Sequence, residues 1–253
     1  MSIITIATDF GTADGFSAAM AGVIKSIAPN VELVEVTHNL KGIVKTILVI
    51  KRYFSFYPKG TIHLAVVDPT VGSDRKALIG CSEDYFFVGP DNGIFSKAAS
   101  GSEHMDWWAI DVSCLPSGKI SSTFHGRDIF APAAALLAAG KSPNELGKKI
   151  EAVETIDLPQ PIVRPKMIEG EVIDIDNFGN LVTNIEADMF TTGMFVSFVN
   201  GEEMPILNTY SDIPQGKPLG YTGSAGYLEI GINMGRADSF FNADIGRKVI
   251  LIL

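Results

Sequence analysis

Four polar stretches interrupt an otherwise apolar chain, and each holds residues capable of chemistry. In "VVDPTVGSDR" (66–75) a carboxylate, Asp68, ends an apolar run, and Arg75 closes the stretch. An aspartate at the C-terminal edge of a buried strand is either a turn-former or a catalytic group. Pro69 and Gly72 are ordinary turn residues, so this stretch alone leaves the choice open. "ATDFGTADG" places Asp9 after a strand and Asp14 near a helix start, where an acid also suits the positive end of the helix. A carboxylate there repels phosphate and argues against a nucleotide-phosphate loop. "STFHGRDIFAPAAALLAAG" sets His125, Arg127 and Asp128 before an alanine-rich helix. His125 reads as a structural histidine or as one part of an Asp/Arg/His site, and spacing alone does not bring the three together. "DIDNFGNLVTNI" half-matches a calcium loop through Asp174, Asp176 and Gly179, but Phe178 and Ile185 stand where oxygen ligands are required, so calcium is rejected in favour of a turn.

The elements that must position these residues fall into two halves. Residues 1–158 alternate strand and helix patterns: "IITIAT", then Phe16, Met20, Val23 and Ile27 at helical spacing, then "ELVEVT". Ile43, Ile47, Ile50, Phe54 and Tyr57 predict a second helix, and "TIHLAVV" a third strand. Repeated βαβ units predict an α/β domain, a mostly parallel sheet with flanking helices, whose ligands bind at the C-terminal ends of strands, where Asp9 and Asp68 stand. The stretch 159–167, within "IDLPQPIVRPK", reads as a proline-rich linker. Residues 168–253 carry short strands between Gly, Asn and Asp turns and predict a smaller all-β barrel.

Composition narrows the function. A chain of 253 residues with 46% hydrophobic and 19% charged residues is globular. Its net charge of −9 argues against nucleic acid as a partner. Cys81 and Cys114 form neither a CxxC pair nor a zinc pattern, so a reduced, cytoplasmic setting is expected. The N-terminus reads as a strand and not as a signal peptide, and no apolar run is long enough to span a membrane. There is no GxSxG elbow, Walker loop, HExxH or GxGxxG after a strand.

The motifs "TDFGTADG", "VVDPTVGSDR", "TFHGRDIFAP", "DNFGNLVTNI" and "GSAGYLEIGIN", in this order and along essentially the whole chain, resemble the S-adenosylmethionine hydroxide adenosyltransferase family, hydrolase relatives of the fluorinases and chlorinases. The resemblance implies hydrolysis of S-adenosyl-L-methionine to adenosine and L-methionine, with Asp68, Arg75 and His125 catalytic. In the halogenating relatives the positions matching Asp68 and His125 are tyrosines. It further implies that Asp9 grips the ribose hydroxyls, that Asp14 and Asp176 face the methionine ammonium, and that Asn180 reads the adenine edge. Ser224 would meet the methionine carboxylate and Asn233 lie near the adenine. Ile43 and Ile232 replace a tryptophan and an arginine of the halogenases. No metal or cofactor is implied, since S-adenosylmethionine is the substrate. The implied assembly is a homotrimer whose ligands lie between one subunit's N-terminal domain and its neighbour's C-terminal domain. A halogenase and a non-catalytic S-adenosylmethionine- or adenosine-binding protein are the alternatives.

Overall fold

The computed structural model describes residues 2–96, 105–116, 118–199, 201 and 203–253, and the chain divides into two compact units, Met1–Ile156 and Asp157–Leu253. The first unit opens with β1 (Ile3–Thr8), α1 (Phe16–Ile27), β2 (Glu32–Thr37), α2 (Gly42–Tyr53) and β3 (Ile62–Val66). β1 and β3 are buried along almost their whole length, as strands covered on both faces must be. On one face Ile4, Ile6, Leu64 and Val66 pack with Met20 and Ile24 of α1 and with the alanines of α3 (Ala131–Ala138). On the other, Ala65 meets Ile50 of α2. The second helix stops at Tyr53, and a single 3₁₀ turn (Phe54–Phe56) carries the chain on, so Tyr57 lies outside it.

The remaining strands of this unit are β4 (Ala77–Cys81), β5 (Phe86–Pro90), β6 (Asp106–Ile110) and β7 (Gly147–Ile150), the last preceded by the single-turn α4 (Pro143–Leu146). The sheet order is β2-β1-β3-β5-β4-β6-β7. Only the first half is parallel: β1 pairs with β2 and β3, and β3 with β5, all in parallel. β4 is antiparallel to β5 and β6, and β6 to β7, so the sheet is mixed where a mostly parallel one is expected. The cause is the connection: Ser82–Tyr85 closes a tight turn, with Ser82 N donating to Tyr85 O at 2.9 Å, far too short for the crossover a parallel pair needs.

The second unit comprises β8 (Ile162–Arg164), β9 (Met167–Ile175), β10 (Leu181–Glu186), β11 (Phe195–Phe198), β12 (Met204–Pro205), β13 (Pro218–Thr222), β14 (Tyr227–Ile232) and β15 (Lys248–Ile252). Its strands run β12-β11-β15-β9-β10-β14-β13. A parallel bridge from Ile206, just past β12, to Gly220 in β13 joins the two ends of that row, curling the antiparallel sheet almost into a barrel around Leu181, Val196, Leu228, Ile230 and Leu251. Two expectations need correction. The stretch 159–167 is not wholly linker, because β8 lies within it and pairs with β9; its prolines fall outside the three paired residues, so no ladder bond is lost. The unit is not all-β either: α5 (Ala237–Phe241) sits between β14 and β15.

Candidate active site

β1 and β3 run in register, Thr8 beside Val66, so the residues leaving both strands emerge at one edge of the sheet. Asp9 follows one strand and Asp68 the other. From that edge the chain loops to Arg75, which returns to hold Asp68: Nε donates to Oδ1 at 3.0 Å and to Oδ2 at 2.9 Å, and Nη2 also donates to Oδ2. The pair is deeply shielded, with the Asp68 side chain 4% and the Arg75 side chain 8% exposed, so its attraction is screened far less than at a surface. The guanidinium also lies over the Phe130 ring, 5.2 Å from its centre, and donates from Nη1 to Lys76 O at 3.3 Å. These contacts leave Arg75 a single orientation.

His125 completes the group, with Nδ1 2.8 Å from Arg75 Nη2. A guanidinium only donates, so Nδ1 offers its lone pair and the ring proton sits on Nε2. His125 is therefore a neutral donor directed away from Arg75. Partial burial first, and then the Arg75 charge, hold its pKa below the usual histidine value. The ring is presented by a π-helical turn, Gly126–Phe130, that opens α3; such bulges recur at functional sites. Gly126 fits that turn against β1's exit, since a Cβ there would stand 3.1 Å from the Phe10 ring. Buried Asp128 fixes the turn from behind, accepting Ser121 N at 2.8 Å and Arg127 Nε at 2.6 Å. Arg127 and Asp128 thus form the helix-start pair, while His125 belongs to the Asp/Arg/His group.

Asp9 is exposed at the rim, and partial burial together with the Asp68 charge raises its pKa. Its loop is braced from β2's exit: Gly11 N donates to His38 O at 2.7 Å, and Thr8 Oγ1 meets buried His38 Nδ1 at 2.8 Å. Nothing in the sequence beyond a polar pair in buried surroundings signals that brace. Asp14 is exposed two residues before α1.

In the second unit Asp176 and Asn180 form one turn between β9 and β10. Asp176 Oδ1 accepts from Phe178 N and Asn180 N, both at 2.8 Å, and Oδ2 from Asn180 Nδ2 at 2.9 Å. Gly179 carries the positive φ of 86° the turn requires, and a Cβ there would strike Asp238 at 2.6 Å. Tyr210 Oη donates to Asn180 Oδ1 at 3.0 Å, so both ends of that amide are anchored; this tyrosine, distant in sequence, was not foreseeable. Ser224 is exposed in the turn from β13 to β14, and Asn233 Nδ2 donates to Ile213 O at 2.7 Å. Among the described residues no hydrogen bond links Ser224 or Asn233 to the Asp176–Asn180 turn.

Two family models match the chain in turn: the SAM hydroxide adenosyltransferase N-terminal domain over residues 4–147, and the C-terminal domain over 170–250. The chain is 33% identical over 258 residues to an (R)-S-adenosyl-L-methionine hydrolase of Salinispora tropica, covering 97% of this chain and 96% of that protein. A fluorinase of Actinoplanes is more distant, 24% identical over 98% of this chain and 96% of its own. A crystal structure of an uncharacterized conserved protein from Thermotoga maritima matches with a TM-score of 0.91 and 29% identity, covering all of both chains.

Proposed function

The chain belongs to the SAM hydroxide adenosyltransferase family, and we propose on that premise that Asp68, Arg75 and His125 carry out its reaction, the hydrolysis of S-adenosyl-L-methionine to adenosine and L-methionine. The observation that carries this reading is the bridge Arg75 makes between a shielded carboxylate and a neutral imidazole.

The sulfonium of the substrate is already a good leaving group, so the demand falls on the nucleophile. Asp68, held by Arg75, accepts one hydrogen of a water, and His125 Nε2–H donates to its oxygen, fixing one lone pair toward ribose C5′. As the O–C5′ bond forms, the C5′–S bond breaks with its electron pair returning to sulfur. Methionine leaves as a neutral thioether, and the water's proton passes to Asp68 and then to solvent. A carboxylate is a far weaker base than hydroxide, so Asp68 does not make free hydroxide in advance; it takes the proton only as the new bond develops.

A halide would meet a poorer reception in this space. At about 4 Å from Asp68 an anion pays roughly 4 kcal/mol at an effective dielectric near 20. Arg75 offers it little, because Nε and Nη2 are already committed to Asp68 and His125.

Asp9, Asp14, Asp176, Asn180, Ser224 and Asn233 are assigned to the substrate, Asp9 to the ribose hydroxyls and Asn180 to the adenine edge. The family resemblance implies a homotrimer in which each ligand is shared by neighbouring subunits, and the division of these residues between the two units is compatible with it. The reaction is tested by incubating S-adenosylmethionine with the protein in H₂¹⁸O. Water attack at C5′ yields adenosine carrying the label and unlabelled methionine. Unchanged substrate, or unlabelled adenosine, would overturn the assignment.

A further inference from the structure

The loop from Asp68 to Arg75 contains Pro69 and Gly72 and no regular structure, yet it must hold a carboxylate on a water in line with a breaking bond. Something has to fix both of its ends. β4 and β5 pair antiparallel with Ala77 opposite Pro90, which sets Lys76 and Asp91 opposite each other just beyond the strands. Asp91 N donates to Lys76 O at 3.0 Å, the same carbonyl that receives Arg75 Nη1. The Asp91 carboxylate, its side chain 2% exposed, accepts Glu154 N at 2.7 Å and faces Lys76 Nζ at 3.4 Å. The next residue reaches the other end of the loop: Asn92 Nδ2 donates to Val67 O at 2.8 Å, immediately before Asp68. Its Oδ1 accepts Ile94 N at 3.4 Å, so the amide can face only one way.

Adjacent side chains thus grip the chain just before Asp68 and just after Arg75. We propose that Asn92, with Asp91, is a positioning residue for hydrolysis: the two clamp the ends of the catalytic loop and so aim the Asp68–Arg75 pair. The inference rests on the hydrolase reading. It goes beyond that reading by assigning a role to residues that need not touch substrate, water or the reacting atoms. A purely structural clamp would lower stability and leave turnover by the folded protein unchanged, whereas an aiming clamp lowers kcat. Misplacement by about 1 Å from a site remote from the chemistry costs on the order of 10²-fold in rate.

The test uses the full chain, with steady-state adenosine formation and thermal unfolding measured on Asn92→Ala alone, Asp68→Ala alone, and both together. Asn92→Ala is expected to lose about 10²-fold in kcat with little change in KM, because the residues assigned to the substrate are untouched. In the Asp68→Ala background the same change is expected to cost nothing further, since residues acting through one group are not additive. Asn92→Asp keeps the size, turns a donor into an acceptor against Val67 O, and is expected to match or exceed the alanine loss; it serves if the alanine variant does not fold. Asp91→Asn, which retains an acceptor for Glu154 N and loses the charge facing Lys76, is expected to shift kcat in the same direction by less. Full kcat in a folded Asn92 variant overturns the proposal. So does an equal loss whether or not Asp68 is present. A wild-type chain that forms no adenosine overturns the hydrolase reading instead, and is seen before any variant is compared.

Discussion

At the scale of single residues, the geometry makes separable demands on Asp68 and His125. Asp68→Ala removes the group proposed to receive the water's proton and leaves Asp9 and Asn180 in place. It is expected to lower kcat by about 10²–10⁴-fold while substrate affinity by calorimetry stays near that of the wild type. Full turnover by this variant would remove Asp68 from the reaction. In its proposed role His125 is expected to set the acid limb of the pH profile. Its Nδ1 must keep a lone pair for Arg75, and protonation would turn a hydrogen-bond acceptor into a donor facing a guanidinium. Because its pKa lies below the ordinary value of about 6.5, the working neutral form persists through neutrality, and kcat is expected to fall only as pH drops below that value. A kcat profile with its acid midpoint above about 6.5 contradicts this assignment.

At the scale of elements, the sequence revealed what periodicity encodes and little else. The strand–helix alternation through β3 was readable because buried parallel strands are continuous apolar runs and α1 repeats its core face every turn. β4, β5 and β6 went unread: each has five residues, without a helix between β4 and β5 to mark a unit. The π-turn under His125 leaves no periodic trace, and the contact of His125 with Arg75 spans fifty positions. β3 also carries His63, fully buried among Tyr53, Phe54, Tyr57, Tyr85 and Phe87, with Nδ1 2.9 Å from Thr5 Oγ1. Burial pulls its pKa down to about 3. His63 is therefore neutral in the fold over the range in which the unfolded chain, near 6.5, takes up a proton. Its contribution is intact above about 6.5 and is lost as pH falls from there toward 3, at up to about 1.4 kcal/mol per pH unit. Denaturant titrations of wild type and His63→Gln between pH 7 and 4 are expected to show a shallower loss in the variant. Parallel slopes would relieve His63 of this role.

At the scale of the whole molecule, the proposed site residues fall into two groups, Asp9, Asp14, Asp68, Arg75 and His125 in one unit and Asp176, Asn180, Ser224 and Asn233 in the other. That division was legible as separate motifs, whereas the shared site proposed for them is a property of assembly that no short stretch of one chain encodes. If each ligand is shared between subunits, defects in the two groups must complement. On the proposed roles Asp68→Ala spoils the reacting half-site and Asn180→Ala the adenine half-site, so in the proposed homotrimer either variant alone is expected to be nearly inactive at low substrate. In a trimer mixed at random from equal amounts, a half-site from one variant meets the intact half-site of the other in about a quarter of the positions, setting recovery near a quarter of wild-type activity. A site closed within one chain recovers nothing, because every chain carries one defect. Subunit exchange, followed by native mass spectrometry, has to be complete before turnover is measured. Complete exchange with no return of activity would rule out the shared site.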